Sequence, residues 1–591
     1  MTCRHRGLAF LPRLTWLRRR IFARGSELGF LTLAIAAGGC AGMVVSGIGS
    51  LSHALHSLLY GVPFAAALSG ASLPRDSSMV LFPIAAGILT AALHTLRRRR
   101  GNIVDPIEAN ALYGGRMSLS DSLWLVTQNL VSNGFGLSAG LEAAYTQLSA
   151  AMASVMGRRL KLRREDMRVL VGCGAAGAIA AAFGAPLTGA FYAFELIIGS
   201  YSTVALAPVI GAAITGTLVA QAITGAAFTI SIHQAEPIAV TDFLPAVAIG
   251  AVCAGLGILL MVTVVKAERL AGSLRIPALC RPAIGGVLVG CLALVTPQIM
   301  SAGHGAMHIN IEGDVTWSAI LALFALKALA TAATIGSGFR GGLFFASLLL
   351  GALVGKLIAV PFEWVFPGLM SSTALAVIGM SAFGVAVIGG PLAMTFLALE
   401  LTGEFPLAAL VLAAAITSSL VTRQSFGYSF ATWRFHLRGE SIRSAHDVGW
   451  IRNLTVGRLM RHDVRTISAS ATPNEFREKF PVGSTQRVIA VNEHGRYVAL
   501  IPVAEVHADA LEATSCKSLS EFFRNQNDLL LPGMNARQAA AMFEACMAEA
   551  LVVVEDRIER RILGLLSEAH TLRRYSEELE KQRLGIFGST D

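Results

Sequence analysis

An all-α polytopic membrane protein built from two related halves, followed by a soluble α/β tail, is predicted by three observations. Of the 591 residues, 54% are hydrophobic and only 15% charged, well below the quarter usual for soluble domains. The carboxylates are unevenly placed, with 18 of the 38 in residues 1–440 and 20 in the much shorter stretch 441–591. A motif that ends at Glu195 returns 205 residues later, ending at Glu400.

Residues 1–27 form a basic segment. The arginines up to Arg24 precede more than thirty largely apolar residues, longer than the core of a signal peptide, which is about 7–15 residues, so the chain enters its first membrane helix from the cytoplasm. A spanning helix needs roughly 20 apolar residues. The segments 28–60, 78–96, 119–133, 142–157, 167–182, 203–225, 242–266, 282–297, 316–335, 343–361, 372–388 and 406–421 qualify in full or in part. Together they define a body over 28–440 with halves of about 28–235 and 240–440. Breaks fall around Gly136, Pro186, Gly338 and Pro391, and interrupted helices at membrane depth are tolerated only where the freed backbone lines a cavity.

The formal charge of +10 does not call for a nucleic-acid partner. The clusters Arg18 to Arg20, Arg97 to Arg100 and Arg158 to Arg164 flank apolar runs, where the positive-inside rule places them. They predict an even number of crossings between them, cytoplasmic termini and residence in a plasma or inner membrane. The eight cysteines are scattered without a CxxC pair, so neither a disulfide framework nor a zinc site is indicated.

The repeat is detailed. Phe183 to Leu196 (FGAPLTGAFYAFEL) matches Ile388 to Leu401 (IGGPLAMTFLALEL) at Gly184/Gly389, Pro186/Pro391, Leu187/Leu392, Phe191/Phe396, Ala193/Ala398, Glu195/Glu400 and Leu196/Leu401. Upstream, Gly136, Gly140, Leu141 and Glu142 answer to Gly338, Gly342, Leu343 and Phe344, 202 residues apart. Paired halves with the site at their interface are the plan of many secondary transporters. If each glycine-rich run opens a helix, two helix starts with unpaired N–H groups and about half a positive charge apiece converge on one point. That makes an anion site, with Gly140, Gly342, Leu343 and Phe344 as its candidate backbone positions. Glu142 beside it puts a carboxylate where the anion would sit and is the candidate gate, whose protonation would couple passage to pH. The alternative is a first-turn carboxylate that stabilises its helix.

These stretches resemble the CLC family of chloride channels and chloride/proton exchangers. The match rests on SGxxGGxF at Ser337 to Phe344 with Lys327 upstream, on PLxxxxxxxELTG from Pro391 to Gly403, and on GAPLxGxxxxxE at Gly184 to Glu195. The resemblance implies a CLC-like fold of inverted repeats, a homodimer with one anion pathway per subunit, and no cofactor. It places the gating glutamate on Glu142, within GLEAA where the family has GREGP or GKEGP. It places further anion contacts on Phe344 and Tyr428, and the anion-coordinating serine on Asn102, or on Ile103 in an alternative register. The inner proton-transfer glutamate of many exchangers falls on Leu196, which cannot relay a proton and favours a passive channel over a proton-coupled exchanger. A transport-inactive membrane sensor is the reading from another class, prompted by the altered GLEAA. Paired carboxylates at the helix breaks, expected of a cation carrier, are missing from the sequence.

Three further features carry less weight. His53 and His56 stand one helical turn apart without a third metal ligand. Lys327 is a lone charge in an apolar run, either functional or a partner for backbone carbonyls. Glu195 and Glu400 read as capping or pairing groups within the fold. The tail divides into units at 455–507 and 515–575, each with helices about a strand pair and with a hairpin turn at His494-Gly495. The pair resembles CBS domains. The places corresponding to their nucleotide contacts, Pro502 with Glu505 and Ser567 with His570, match poorly, which favours a regulatory or dimer-stabilising tail over a nucleotide sensor.

Overall fold

The computed structural model describes residues 27–73, 78–97, 101, 103–225, 230, 240–273, 276–313, 315–365, 367, 370–430, 432–433, 454–508, 518–574 and 576–577. The chain divides into two compact units, Met1–Asp447 and Val448–Asp591.

The first half of the helical unit contains α1 (Glu27–Tyr60), α2 (Ser78–Arg97), α3 (Pro106–Leu112), α4 (Leu119–Gly134), α5 (Glu142–Arg159), α6 (Arg164–Phe183), α7 (Pro186–Tyr192) and α8 (Thr203–Thr224). A π-helical turn, Ala193–Ile198, prolongs α7. The second half contains α9 (Phe243–Ser273), α10 (Arg281–Val295), α11 (His304–Glu312), α12 (Trp317–Gly336), α13 (Phe344–Val365), α14 (Ser372–Ile388), α15 (Pro391–Thr402) and α16 (Phe405–Ser425). Among the described residues, eight helices are long and apolar enough to cross a membrane. From α4 to α8 each helix has its repeat counterpart in α12 to α16.

Local chemistry sets the boundaries. Ser371 caps α14 by accepting from Ala374 N at 3.1 Å, and prolines open α3, α7 and α15. Gly184 (φ +66°) and Gly403 (φ +72°) close α6 and α15 in the left-handed region. Small residues let the helices approach as membrane packing requires. A Cβ at Gly38 of α1 would stand 2.6 Å from Ala212 Cα of α8, and one at Gly216 of α8 would stand 2.8 Å from Gly177 Cα of α6. Gly250 of α9 meets Ala414 of α16 in the same way in the second half.

The halves exchange contacts reciprocally. The Glu400 carboxylate, at the end of α15, accepts from Leu187 N (2.7 Å), Thr188 N (2.8 Å) and Thr188 Oγ1 (2.7 Å) at the start of α7. Glu195, in the π turn after α7, accepts from Leu392 N (3.1 Å) and Ala393 N (2.9 Å) at the start of α15. Between them Phe191 stacks on its own repeat counterpart Phe396, with ring centroids 4.3 Å apart and planes at 16°. Each half thus supplies the carboxylate that satisfies the open N–H groups of the other, the signature of an internal two-fold relation.

The tail unit holds two three-stranded sheets of one topology, β1-β2-β3 (Thr466–Ser468, Arg487–Val491, Tyr497–Pro502) and β4-β5-β6 (Leu529–Leu530, Ala550–Val554, Ile562–Ser567). In each, the first pair is parallel and the second antiparallel. The turn between β2 and β3 is tied by Asn492 Oδ1, which accepts from His494 N and Arg496 N, with Gly495 at φ +71°. The sheet cores are crossed in sequence. Leu454, Val456 and Leu459 pack with Leu530 and Phe543 in the second core, whereas Leu519 and Phe522 join the first.

Candidate functional site

Two glycine-rich runs bring two helix starts together. Gly136 (φ +82°) and Gly338 (φ +98°) turn the chain through the left-handed region after α4 and α12. The runs that follow pair with each other: Gly140 N donates to Gly342 O and Gly342 N to Gly140 O, both at 3.0 Å. Positions 202 residues apart therefore face one another, and α5 and α13 begin immediately after this bridge.

Glu142 opens α5 and is only 4% exposed. Its carboxylate folds back over the bridge. A Cβ at Gly140 would lie 2.8 Å from the carboxyl carbon, and one at Gly342 would lie 2.9 Å from Oε2, so glycine at both positions leaves the space that the side chain fills. The carboxylate lies against the backbone N–H of Phe345 in the first turn of α13, within the field of Lys327. Oε2 has no hydrogen-bond partner among the described residues. A negative group thus occupies the electropositive ends of two helices.

A cavity of about 200 Å³ adjoins this point. Of the residues singled out in the sequence, Glu142, Gly342, Leu343, Phe344 and Leu196 line it, and Gly140 pairs across the bridge. Asn102 lies outside the described residues. Ile103 is not in the cavity wall, but Ile107, at the start of α3, is. Tyr428 is not in the wall either. Its ring packs against Trp433 with centroids 5.5 Å apart, and Phe430 lines the cavity two residues further on.

Sequence reasoning missed Tyr192 and Thr146, the hydroxyl-bearing side chains of the wall. Thr146 Oγ1 donates to Glu142 O at 2.9 Å, and the Tyr192 hydroxyl hydrogen-bonds to Thr146. The repeat carried a signal for Tyr192, since its counterpart is Leu397: a hydroxyl enters only the first half.

The surroundings hold the frame in place. Lys327 is fully buried and its Nζ donates to Ile299 O (2.9 Å) and Ser301 O (3.0 Å). Ser301 N in turn donates to Gly136 O at 3.2 Å, so the lysine acts on the bridge through backbone carbonyls. Ser138 and Thr331 hydroxyls meet at 2.9 Å. From α1, Tyr60 OH donates to Phe135 O (2.9 Å), Ser52 Oγ donates to Asn133 Oδ1 (2.6 Å), and His56 Nε2 lies 3.0 Å from Asn133 O. Among the described residues no three His, Cys, Asp or Glu side chains converge closely enough to hold a metal ion.

The tail has its own cavity, of about 810 Å³, lined among others by Pro502 and Glu505 but not by Ser567 or His570. Its charges are matched within it: Arg524 pairs with Glu505 at 2.8 Å and Arg487 with Glu549.

Comparison with known proteins gives the family and the fold. A family model described as voltage gated chloride channel matches residues 83–423. A ClcB-like chloride channel protein of Ralstonia nicotianae is 28% identical over 348 residues, 57% of this chain and 81% of that protein. The voltage-gated ClC-type chloride channel ClcB of Escherichia coli is 26% identical over 342 residues, 58% of this chain and 82% of that one. Among solved structures, a slow cyanobacterial Cl−/H+ antiporter superposes with a TM-score of 0.61 at 21% identity, over 69% of this chain and 97% of that chain. A eukaryotic CLC transporter gives 0.61 at 17% identity, over 94% and 98%. At such identities the structures speak for the fold alone.

Proposed function

The chain belongs to the voltage-gated chloride channel family of membrane anion-transport proteins, and on that premise we propose that it conducts chloride or a similar small anion passively, with Glu142 as the gate. The observation that carries this reading is the position of the Glu142 carboxylate, folded over the Gly140–Gly342 bridge at the starts of α5 and α13. An anion entering the site must displace that carboxylate, so passage opens when it is protonated or swings away. Gly140, Gly342, Leu343 and Phe344 offer backbone to the ion. Tyr192 offers a hydroxyl; Asn102 and Tyr428 are partners expected from the family resemblance alone, Tyr428 standing outside the cavity wall.

Leu196 supports passive conduction over exchange: it stands in the cavity wall and cannot take up a proton. The family resemblance leads us to expect a homodimer with one such pathway in each subunit. The basic flanks support cytoplasmic termini, which puts the C-terminal end of α1 at the outer face. The repeated three-stranded sheets support a CBS-like pair, and the ion pairs inside its cavity favour a structural or regulatory role over nucleotide capture.

The test is chloride efflux from liposomes reconstituted with the full chain, with proton movement followed in parallel. Rapid voltage-driven efflux without protons is expected, and Glu142→Gln should raise efflux at neutral pH and remove the part of its pH dependence that the gate supplies. Proton uptake in fixed ratio to chloride would establish exchange instead. Absence of flux in both proteins would remove the transport reading.

A further inference from the structure

A histidine group lies beside the Glu142 site, assembled from helices far apart in sequence. His304 opens α11 after Gly303 (φ +104°) and is exposed. Its ring stacks on Phe345, with centroids 3.7 Å apart and planes at 28°. Phe345 is the residue whose N–H meets the Glu142 carboxylate, so one aromatic ring separates an accessible imidazole from the gate. His53 and His56, in the last turns of α1, contribute electrostatically to His304. Their own rings pack edge to face at 6.2 Å.

These imidazoles have unused capacity. The Asn133 carbonyl accepts from His56 Nε2, which fixes the proton of the neutral ring there. His56 is 5% exposed, and its Nδ1 has no partner among the described residues; nor has Nδ1 of His53. A buried polar atom without a partner calls for an unseen ligand. On protonation each Nδ1 becomes a charged N–H donor, which suits an anion.

We propose that His53, His56 and His304 form a second anion-binding site at the outer mouth, one that captures a small inorganic anion when its imidazoles are charged and feeds it to the Glu142 site. The proposal rests on the anion-transport reading above and deepens it. The charged and titratable groups facing His304 are His308 on its own helix, His53 and His56 on α1, and Lys327 on α12. Glu142 acts on Lys327 from α5, and Lys356 of α13 reaches Gly313 O beyond the far end of α11. The turn Leu68–Gly70 and helix α14, which also pack on α11, bring no titratable side chain. Lys327 already donates to two carbonyls, and the three histidines supply the charge that varies with pH.

Binding of radiolabelled chloride to the purified full chain separates this site from the gate, provided Glu142 is first made untitratable. In the Glu142→Gln protein, chloride should bind between about fivefold and a thousandfold more tightly at pH 4 than at pH 8, the range for one added unit charge about 4 Å away as the effective dielectric falls from 80 to 20. Adding His304→Phe, which keeps a stacking ring, or His53→Gln should remove most of that difference. The site is refuted if Glu142→Gln binds equally at both pH values, or if the histidine variants leave the difference intact. Equal binding at both pH values with normal flux would leave the proposed function standing. Acid-only binding that His304→Phe abolishes, in a protein without flux, would keep the outer site and discard the transport reading.

Discussion

Replacing Glu400 by alanine tests whether the two halves hold each other. The carboxylate receives three donors between 2.7 and 2.8 Å from α7. Without it, two backbone N–H groups and a hydroxyl lose their acceptor at a part-buried site, at about 1–3 kcal/mol for each group that stays unsatisfied. The start of α7 also loses an opposing charge worth roughly 0.5–2 kcal/mol. Some of the donors will find water, so the net loss should be about 3–5 kcal/mol. Glu195→Ala should cost less, about 2–4 kcal/mol, because its bonds to Leu392 N and Ala393 N are longer, at 3.1 and 2.9 Å, and its third partner, the Tyr201 hydroxyl, belongs to an exposed residue that water can serve instead. Since both sites flank the Phe191–Phe396 stack, the double variant should fall short of the sum. The readout is the temperature at which the detergent-solubilised full chain loses its monodisperse chromatographic peak. A drop of several degrees is expected for each single variant, larger for Glu400→Ala. Melting within a degree of wild type for both would refute reciprocal capping, and an unchanged melt with altered proton movement would assign these carboxylates to a relay.

Three other outcomes follow from the same geometry. Gly140→Ala places a Cβ 2.8 Å from the Glu142 carboxyl carbon, the end of a movable side chain, so the carboxylate should be evicted and neutral-pH chloride efflux should rise several-fold; efflux equal to wild type would contradict this placement. Lys327→Met strips two buried carbonyls of their donor and should lower stability by about 2–3 kcal/mol, read as a reduced melting temperature. In the tail, burial and the neighbouring Arg573, Arg461 and Arg574 hold His570 below its ordinary value of 6.5. The unfolded chain therefore takes up the proton first, and the stability this group contributes is complete above pH 6.5 and lost as pH falls through and below it. His570→Gln should flatten that acid limb in a pH series of tail proteolysis.

Long apolar runs were legible nearly to the residue: segments 78–96 and 372–388 became Ser78–Arg97 and Ser372–Ile388, because length and hydropathy suffice for a spanning helix. The short helices α3 and α11 escaped. His304 to Glu312 is too polar and brief to show an apolar period, so nothing in sequence placed His304 on Phe345. The meeting of Gly140 with Gly342 was readable because the repeat marks both and an internal two-fold brings counterparts together. The crossed tail cores were not readable, since β1 and β4 are three and two residues long, too short to alternate.

The pairing of Gly140 with Gly342 has a kinetic corollary. Two helices whose first turns are bolted to each other by matched backbone bonds cannot part without breaking both, so the frame around the ion stays still while a single carboxylate turns. Side-chain rotation takes picoseconds to nanoseconds where free, against microseconds or longer for helix displacement. Opening would then keep pace with the residence time of a proton on one oxygen, and temperature should change its rate far less than a rearrangement of packed helices would require.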